Sequence, residues 1–215
     1  MINIIRIQTQ EQPEQLWDRI LDKKDELQSA LANNGKILYL SKRSKYNEAS
    51  MFVHTRDTNV LGDFIAMHLA KLDGVTGIWV INMVKPIFFP LPKGAASQMK
   101  RYTVTVKSFP PRLSEIYEKI SQLVFPDGIK ITYLAYTFHL FGDCLQFSLL
   151  ADEEKTLQKY VNDIISNIPG ILRTTVCEIE KNFPFISFED WQNYSSQNPL
   201  LAAWDQENMI AQFQP

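Results

Sequence analysis

Apolar and polar residues alternate in short runs along this chain, and runs of helical spacing separate them. Residues 4–8 alternate as a first strand. Pro13 then opens a helix at the position proline tolerates best, with a stripe of Leu16, Ile20, Leu27 and Leu31 that ends at Asn33-Asn34-Gly35. Residues 36–41 and 51–55 read as two strands joined by the polar run 42–48. Thr58 is positioned to cap a second helix carrying Leu61, Phe64, Ile65, His68, Leu69 and Leu72. Asp73-Gly74 turns the chain into a long strand, residues 75–85. The predicted order is β-α-β-β-α-β.

The prolines of residues 86–92 remove backbone donors, which predicts a linker there, continuing through a polar stretch to Lys100. The same order then recurs. Residues 102–108 form a strand, and Pro111 opens a helix with Leu113, Ile116, Ile120 and Leu123. Pro126-Asp127-Gly128 leads into strand 129–136, and strand 145–151 follows. Asp152 is positioned to cap a helix bearing Leu157, Tyr160, Val161, Ile164, Ile165 and Ile168, and Pro169-Gly170 leads into a last strand, 171–181. Shifted by 96 positions, Leu61 falls on Leu157, Leu69 on Ile165, Gly74 on Gly170 and Lys85 on Lys181; shifted by 94, KILYL at Lys36 falls on KITYL at Lys130. This punctuation marks an internal repeat.

The expected fold is therefore α+β: two tandem ferredoxin-like βαββαβ units whose antiparallel sheets pack on each other. The boundaries expected are 1–85 for the first unit, 86–100 for the linker, 101–182 for the second unit and 183–215 for a C-terminal extension. That extension holds Phe183, Phe185, Phe188, Trp191, Tyr194, Trp204 and Phe213, too aromatic for a disordered tail, and reads as packed over its own domain or docked on a partner.

Residues 126–181 resemble the effector-binding domain of the leucine-responsive and asparagine-operon regulators, the Lrp/AsnC family. Asp127-Gly128-Ile129 and Pro169-Gly170-Ile171 match its two turns, and Asp143 and Asp152 its two acidic positions. In the first half Asp73-Gly74-Val75 matches the second turn, and Glu48 lies near the hairpin acid. The family's hairpin glycine falls on Leu140 and Lys45. The likeness covers roughly residues 36–85 and 102–182. It implies a dimeric α/β-barrel type of fold and a regulatory module that binds a small, amino-acid-like effector and acts on transcription through a partner. A ligand site at the hairpin tips is implied, with Tyr46 and Glu48 in the first half and Tyr136, His139 and Asp143 in the second. The family's helix-turn-helix has no counterpart, because the one helix before the first hairpin belongs to the repeat.

Charge and chemistry narrow this further. The net charge is −2, so direct DNA binding is not expected. Cys144 and Cys177 stand apart and read as small core residues in a reducing compartment, and no apolar run reaches membrane-span length; the expected location is cytoplasmic. His68 reads as a core or boundary residue, His54 ends a strand whose two faces are both open to it, no metal-ligand spacing or nucleotide loop is present, and neither cofactor nor catalytic group is expected. A homo-oligomer or protein partner is expected. The alternative is a small enzyme or haem-binding protein of the dimeric α/β-barrel type, which rests on fold analogy alone.

Overall fold

The computed structural model describes residues 1–92, 94, 98–138, 143–198 and 201, with Asp143 described by its backbone alone. The elements are β1 (Ile2–Thr9), α1 (Pro13–Asp22), α2 (Lys24–Leu31), β2 (Gly35–Arg43), β3 (Glu48–Thr55), α3 (Thr58–Met67) and β4 (Val75–Phe88), then β5 (Lys100–Ser108), α4 (Leu113–Ser121), β6 (Ile129–Thr137), β7 (Asp143–Ala151), α5 (Glu154–Tyr160), β8 (Ile171–Pro184) and α6 (Phe188–Ser196). The chain divides into two units. One comprises Met1–Asn82 with Glu180–Leu201, and the other is built around Met83–Ile179. The division falls inside β4 and inside β8, so each of these strands contributes residues to both units.

In the first unit the strands neighbour each other in the order β4-β1-β3-β2-β8. β3 pairs antiparallel with β1 (Ile4↔Phe52) and with β2 (Ile37↔Val53), with a bulge between Ile37 and Tyr39. Strand periodicity puts Ile5, Ile7, Met51 and Val53 on one face, where Leu16, Ile20, Leu27, Leu31, Leu61 and Phe64 pack on them. Burying a side chain such as Phe64 contributes about 2–3 kcal/mol before ordering costs. The face away from the helices is also buried but less apolar: it carries Tyr39, Phe52, Ser50, Glu48 and His54.

The second unit has the order β8-β5-β7-β6-β4. Val104, Val106, Leu145, Phe147 and Leu149 face the helices, where Ile116, Ile120, Leu157, Val161 and Ile165 cover them. The opposite face carries buried Thr103, Thr105, Gln146 and Ser148, and Gln146 donates a 2.7 Å hydrogen bond to the Tyr133 hydroxyl.

Several boundaries differ from the sequence expectation. The first helix is two helices, interrupted at Lys23, which leaves helical geometry and donates its N–H back to Arg19 and Leu21. Asp57, not Thr58, caps α3; its carboxylate accepts from the N–H groups of Asn59 and Val60. α3 stops at Met67, so Leu69 and Leu72 reach the core from a following 3-10 turn and its end. The residue capping α5 is Glu153, and the Asp152 carboxylate lies instead against the Gly128 turn, where a Cβ would come within 2.8 Å of it. Strand β4 continues past the expected linker boundary: Ile87 pairs with Leu134 and Phe88 with Tyr133. Pro86 is accommodated because the register shifts between Val84 and Ile87, where no ladder donor is required of it. Within the C-terminal extension, Phe185, Trp191 and Leu201 are buried and belong to the first unit; Trp204 and Phe213 lie outside the described residues. Cys177 is buried and Cys144 half-buried.

Candidate functional site

The irregularity in β4 organises one end of the second unit. Lys85 adopts φ +50, a left-handed conformation that side chains larger than glycine rarely take. Its carbonyl accepts a 2.5 Å hydrogen bond from the Tyr117 hydroxyl on α4, and its ammonium lies 5.3 Å from the centroid of that ring. Helical spacing places Tyr117 beside Ile116 and Ile120 on the buried side of α4. The phenol therefore reaches the bulge across the helix–sheet cleft.

Tyr117 is the floor of an aromatic stack. The Tyr136 ring of β6 lies 4.2 Å above it at an interplanar angle of 13°. Phe138, two residues further on and on the same side of the strand, follows at 6.2 Å and 8°. Tyr117 is buried, Tyr136 is half-buried and Phe138 is 60% exposed, so the stack runs from core to solvent. Burial, and next the neighbouring Tyr136, push the Tyr117 phenol up to about 12. Burial, and next Glu118, raise that of Tyr136. Both hydroxyls therefore stay protonated at neutral pH and act as donors. Tyr117 uses its proton on Lys85; the Tyr136 hydroxyl makes no hydrogen bond among the described residues. The arrangement offers a flat apolar surface with a polar edge.

Of the five residues singled out from the sequence, Tyr136 is central to this stack. In the first unit, Glu48 is buried and accepts a 2.5 Å hydrogen bond from Arg43, with the Arg6 Nε at 3.8 Å. Tyr46 is partly exposed beneath the Arg43 guanidinium, 4.2 Å from its ring centroid. Glu48 and Tyr46 thus meet on Arg43, and the Glu48 carboxylate is already engaged by guanidinium groups. His139 and the Asp143 side chain lie outside the described residues. Sequence reasoning missed Tyr117, Phe138 and Lys85. Tyr117 falls beside the predicted apolar stripe of its helix, and no local pattern distinguishes it from a core aromatic residue.

At the positions of the first unit matched by the shift of 94 residues the chemistry is different. Lys42 stands where Tyr136 does, and it pairs with Glu14 and, at 3.0 Å, with Glu180. These partners hold the Lys42 ammonium above its usual range, Glu14 most strongly, against the opposing effect of burial.

Solved structures share this fold. An anthrone oxidase-like protein matches with a TM-score of 0.56 at 8% identity, over 86% of this chain and 94% of the other. Chlorite dismutase from Candidatus Nitrospira defluvii, in complex with imidazole, matches at 0.52 and 12% identity over 84% and 91%. A monooxygenase-type protein from Fusobacterium nucleatum matches at 0.50 and 8% over 85% and 93%. No family model matches the chain, and no curated protein does. These neighbours are proteins of the dimeric α/β-barrel class, so the fold is of that class; none of the three is an Lrp/AsnC effector domain. No helix among the described residues is long and apolar enough to cross a membrane.

Both described histidines are already engaged by neighbouring rings, and His139 lies outside the described residues. An axial haem ligand needs an open face on which the macrocycle can lie. His54 is only 6% exposed, and its Nδ1 is 2.7 Å from the Tyr194 hydroxyl. His68 closes the end of α3, its ring 6.1 Å from that of Phe64. No group of three or more His, Cys, Asp or Glu side chains is placed to hold a metal ion among the described residues.

Proposed function

We propose that this protein is a small enzyme of the dimeric α/β-barrel type that binds a planar aromatic substrate on the Tyr117–Tyr136–Phe138 stack. The observation that carries this reading is the near-parallel stack itself, anchored in the core at Tyr117 and open at Phe138. A flat, preformed aromatic surface recognises a flat ligand with little ordering cost. The fold likeness to an anthrone oxidase-like protein and to a monooxygenase-type protein supports an oxidative reaction on such a compound. Each half is read as a ferredoxin-like βαββαβ unit, supported by the common strand order.

Anthrone is a suitable test substrate. Its oxidation by dioxygen consumes one O2 per molecule and yields one anthraquinone and one water. The protein is expected to accelerate oxygen uptake over buffer and to bind anthrone in the micromolar range. Phe138→Ala should weaken binding roughly 2- to 12-fold, the worth of one aromatic pair. Absence of binding to anthrone at its solubility limit, together with oxygen uptake equal to buffer, would overturn the reading.

The second reading is an amino-acid-binding regulatory module. It is favoured by Gly74, Gly128 and Gly170, which take φ of +79, +84 and +98 at the turns that carry the Lrp/AsnC resemblance. Calorimetry with the common amino acids on wild type and Asp143→Asn tests it: micromolar binding lost in the variant supports this reading, and no binding to any of them excludes it.

A further inference from the structure

We infer that α6 is an acid-released strap: uptake of one proton at His54 detaches this helix from the end of β3 while the sheet of the first unit stays folded. The inference is independent of the substrate reading above.

The way the helix is tied is the first argument. The Phe185 N–H donates to the Leu38 carbonyl at 3.0 Å, which pins the chain to β2 just before the helix. From Ser187 onward the described backbone bonds are local. The Ser187 hydroxyl accepts from the Asp190 N–H at 3.1 Å, and the Trp191 N–H donates to the Ser187 carbonyl. The helix can therefore leave without breaking a strand ladder, and such a segment opens at lower cost than a sheet. Side chains hold it in place. Trp191 is buried, and Tyr194 reaches His54, its hydroxyl 2.7 Å from the Nδ1 and its ring edge to face with the imidazole.

The charge around His54 is the second argument. β1 brings the Met1 ammonium, which donates to the Thr55 carbonyl at 2.6 Å. β2 brings Lys36, the residue opposite His54 in the ladder. The turn after β3 brings Arg56, whose charge acts on the Tyr194 phenol. The nearby acids are placed elsewhere: Asp57 caps α3, and Glu189 and Asp190 lie in the first turn of α6, with Asp190 bonded to Ser187. Among the described residues His54 bonds a neutral hydroxyl and no carboxylate. An imidazolium would still donate to that hydroxyl, so protonation does not break the bond itself. It instead holds a cation away from water, among other cations and without a counter-ion. Burial, and next the Met1 ammonium, therefore keep the docked imidazole neutral down to about pH 4. Release returns it to water and to its ordinary value of 6.5. Between those limits the released form binds one proton more than the docked form, so falling pH favours release.

Hydrogen exchange of the full-length protein between pH 7 and 4, corrected for the intrinsic rate at each pH, tests this. In wild type the opening constant of the amides in residues 188–196 should rise roughly 10-fold per pH unit below 6.5, the slope of a single proton. The amides of β1 and β3 should keep their protection. His54→Phe, which keeps a ring but cannot titrate, should make α6 opening independent of pH. Tyr194→Phe keeps the titrating group and loses the hydroxyl; its α6 should be more open at pH 7 and retain the slope. If His54→Phe leaves α6 unprotected at every pH, the slope in Tyr194→Phe decides: a retained slope supports the strap and a flat one overturns it. A flat wild-type profile, a slope that survives in His54→Phe, or β1 and β3 amides that open with the same slope as α6 would each overturn the inference, the last because the proton would then unfold the unit and not free the helix.

Discussion

At the residue scale, individual groups are set by their immediate geometry. Asp57 satisfies two of the donors that a helix start leaves open, at 2.8 and 3.0 Å. Asp57→Ala should lower stability by about 1 kcal/mol, read as a shift in denaturation midpoint without change of slope. Gly128 is different in kind. At φ +84, with Asp152 pressed against the position a Cβ would occupy, Gly128→Ala brings both backbone strain and a steric clash. A loss of about 1–2 kcal/mol from the strain alone is expected, and Asp152→Ala should relieve the steric part in the double variant. Additive losses in that cycle would show that the two residues do not press on each other. The Asp57 cap is local in chain position, the Asp152–Gly128 contact is not, and neither was assigned from the sequence, which pointed to Thr58 and to Asp152 as caps. A Thr or an Asp at a helix start looks equally competent to cap, and only the backbone dihedrals decide which carboxylate points at free N–H groups.

At the scale of elements, α6 is tied to β3 through His54. The His54 Nδ1 lies 2.7 Å from the Tyr194 hydroxyl, the rings meet edge to face at 5.6 Å, and Trp191 of the same helix is 2% exposed. Burial, and then the charge of the nearby N-terminal ammonium, lower the His54 imidazole from 6.5 to about 4. A histidine whose folded value is depressed binds fewer protons in the folded state than in the unfolded one. Its neutral form therefore costs nothing above pH 6.5, and stability falls as the pH drops from 6.5 toward 4. The melting temperature should decline through that window, and His54→Phe should flatten this part of the profile. A profile unchanged by the substitution would mean that other groups set the acid sensitivity. The aromatic content of this segment pointed to an ordered element; its partner on β3, 140 residues away in sequence, could not be read from composition.

At the scale of the whole molecule, charge and connectivity matter most. A net charge of −2 offers no excess of phosphate-neutralising groups, so sequence-specific binding to duplex DNA at physiological salt is not expected. A gel shift with sub-micromolar, sequence-dependent affinity would contradict this. The unit division falls inside β4 and β8, and β4 runs through Pro86. Proline removes one donor, and a local shift of register makes that donor unnecessary.

The sequence by itself determined most strands and the positive-φ glycine turns, because strand periodicity and glycine punctuation act over a few residues. Tertiary structure alone decided that Tyr136 stacks with Tyr117, that Glu48 is engaged by Arg43 and Arg6, and that Lys42 is held by Glu14 and Glu180. Those pairings depend on register and on helix placement against the sheet. A shift of one residue in a strand turns every side chain to the other face, and no local pattern carries that information.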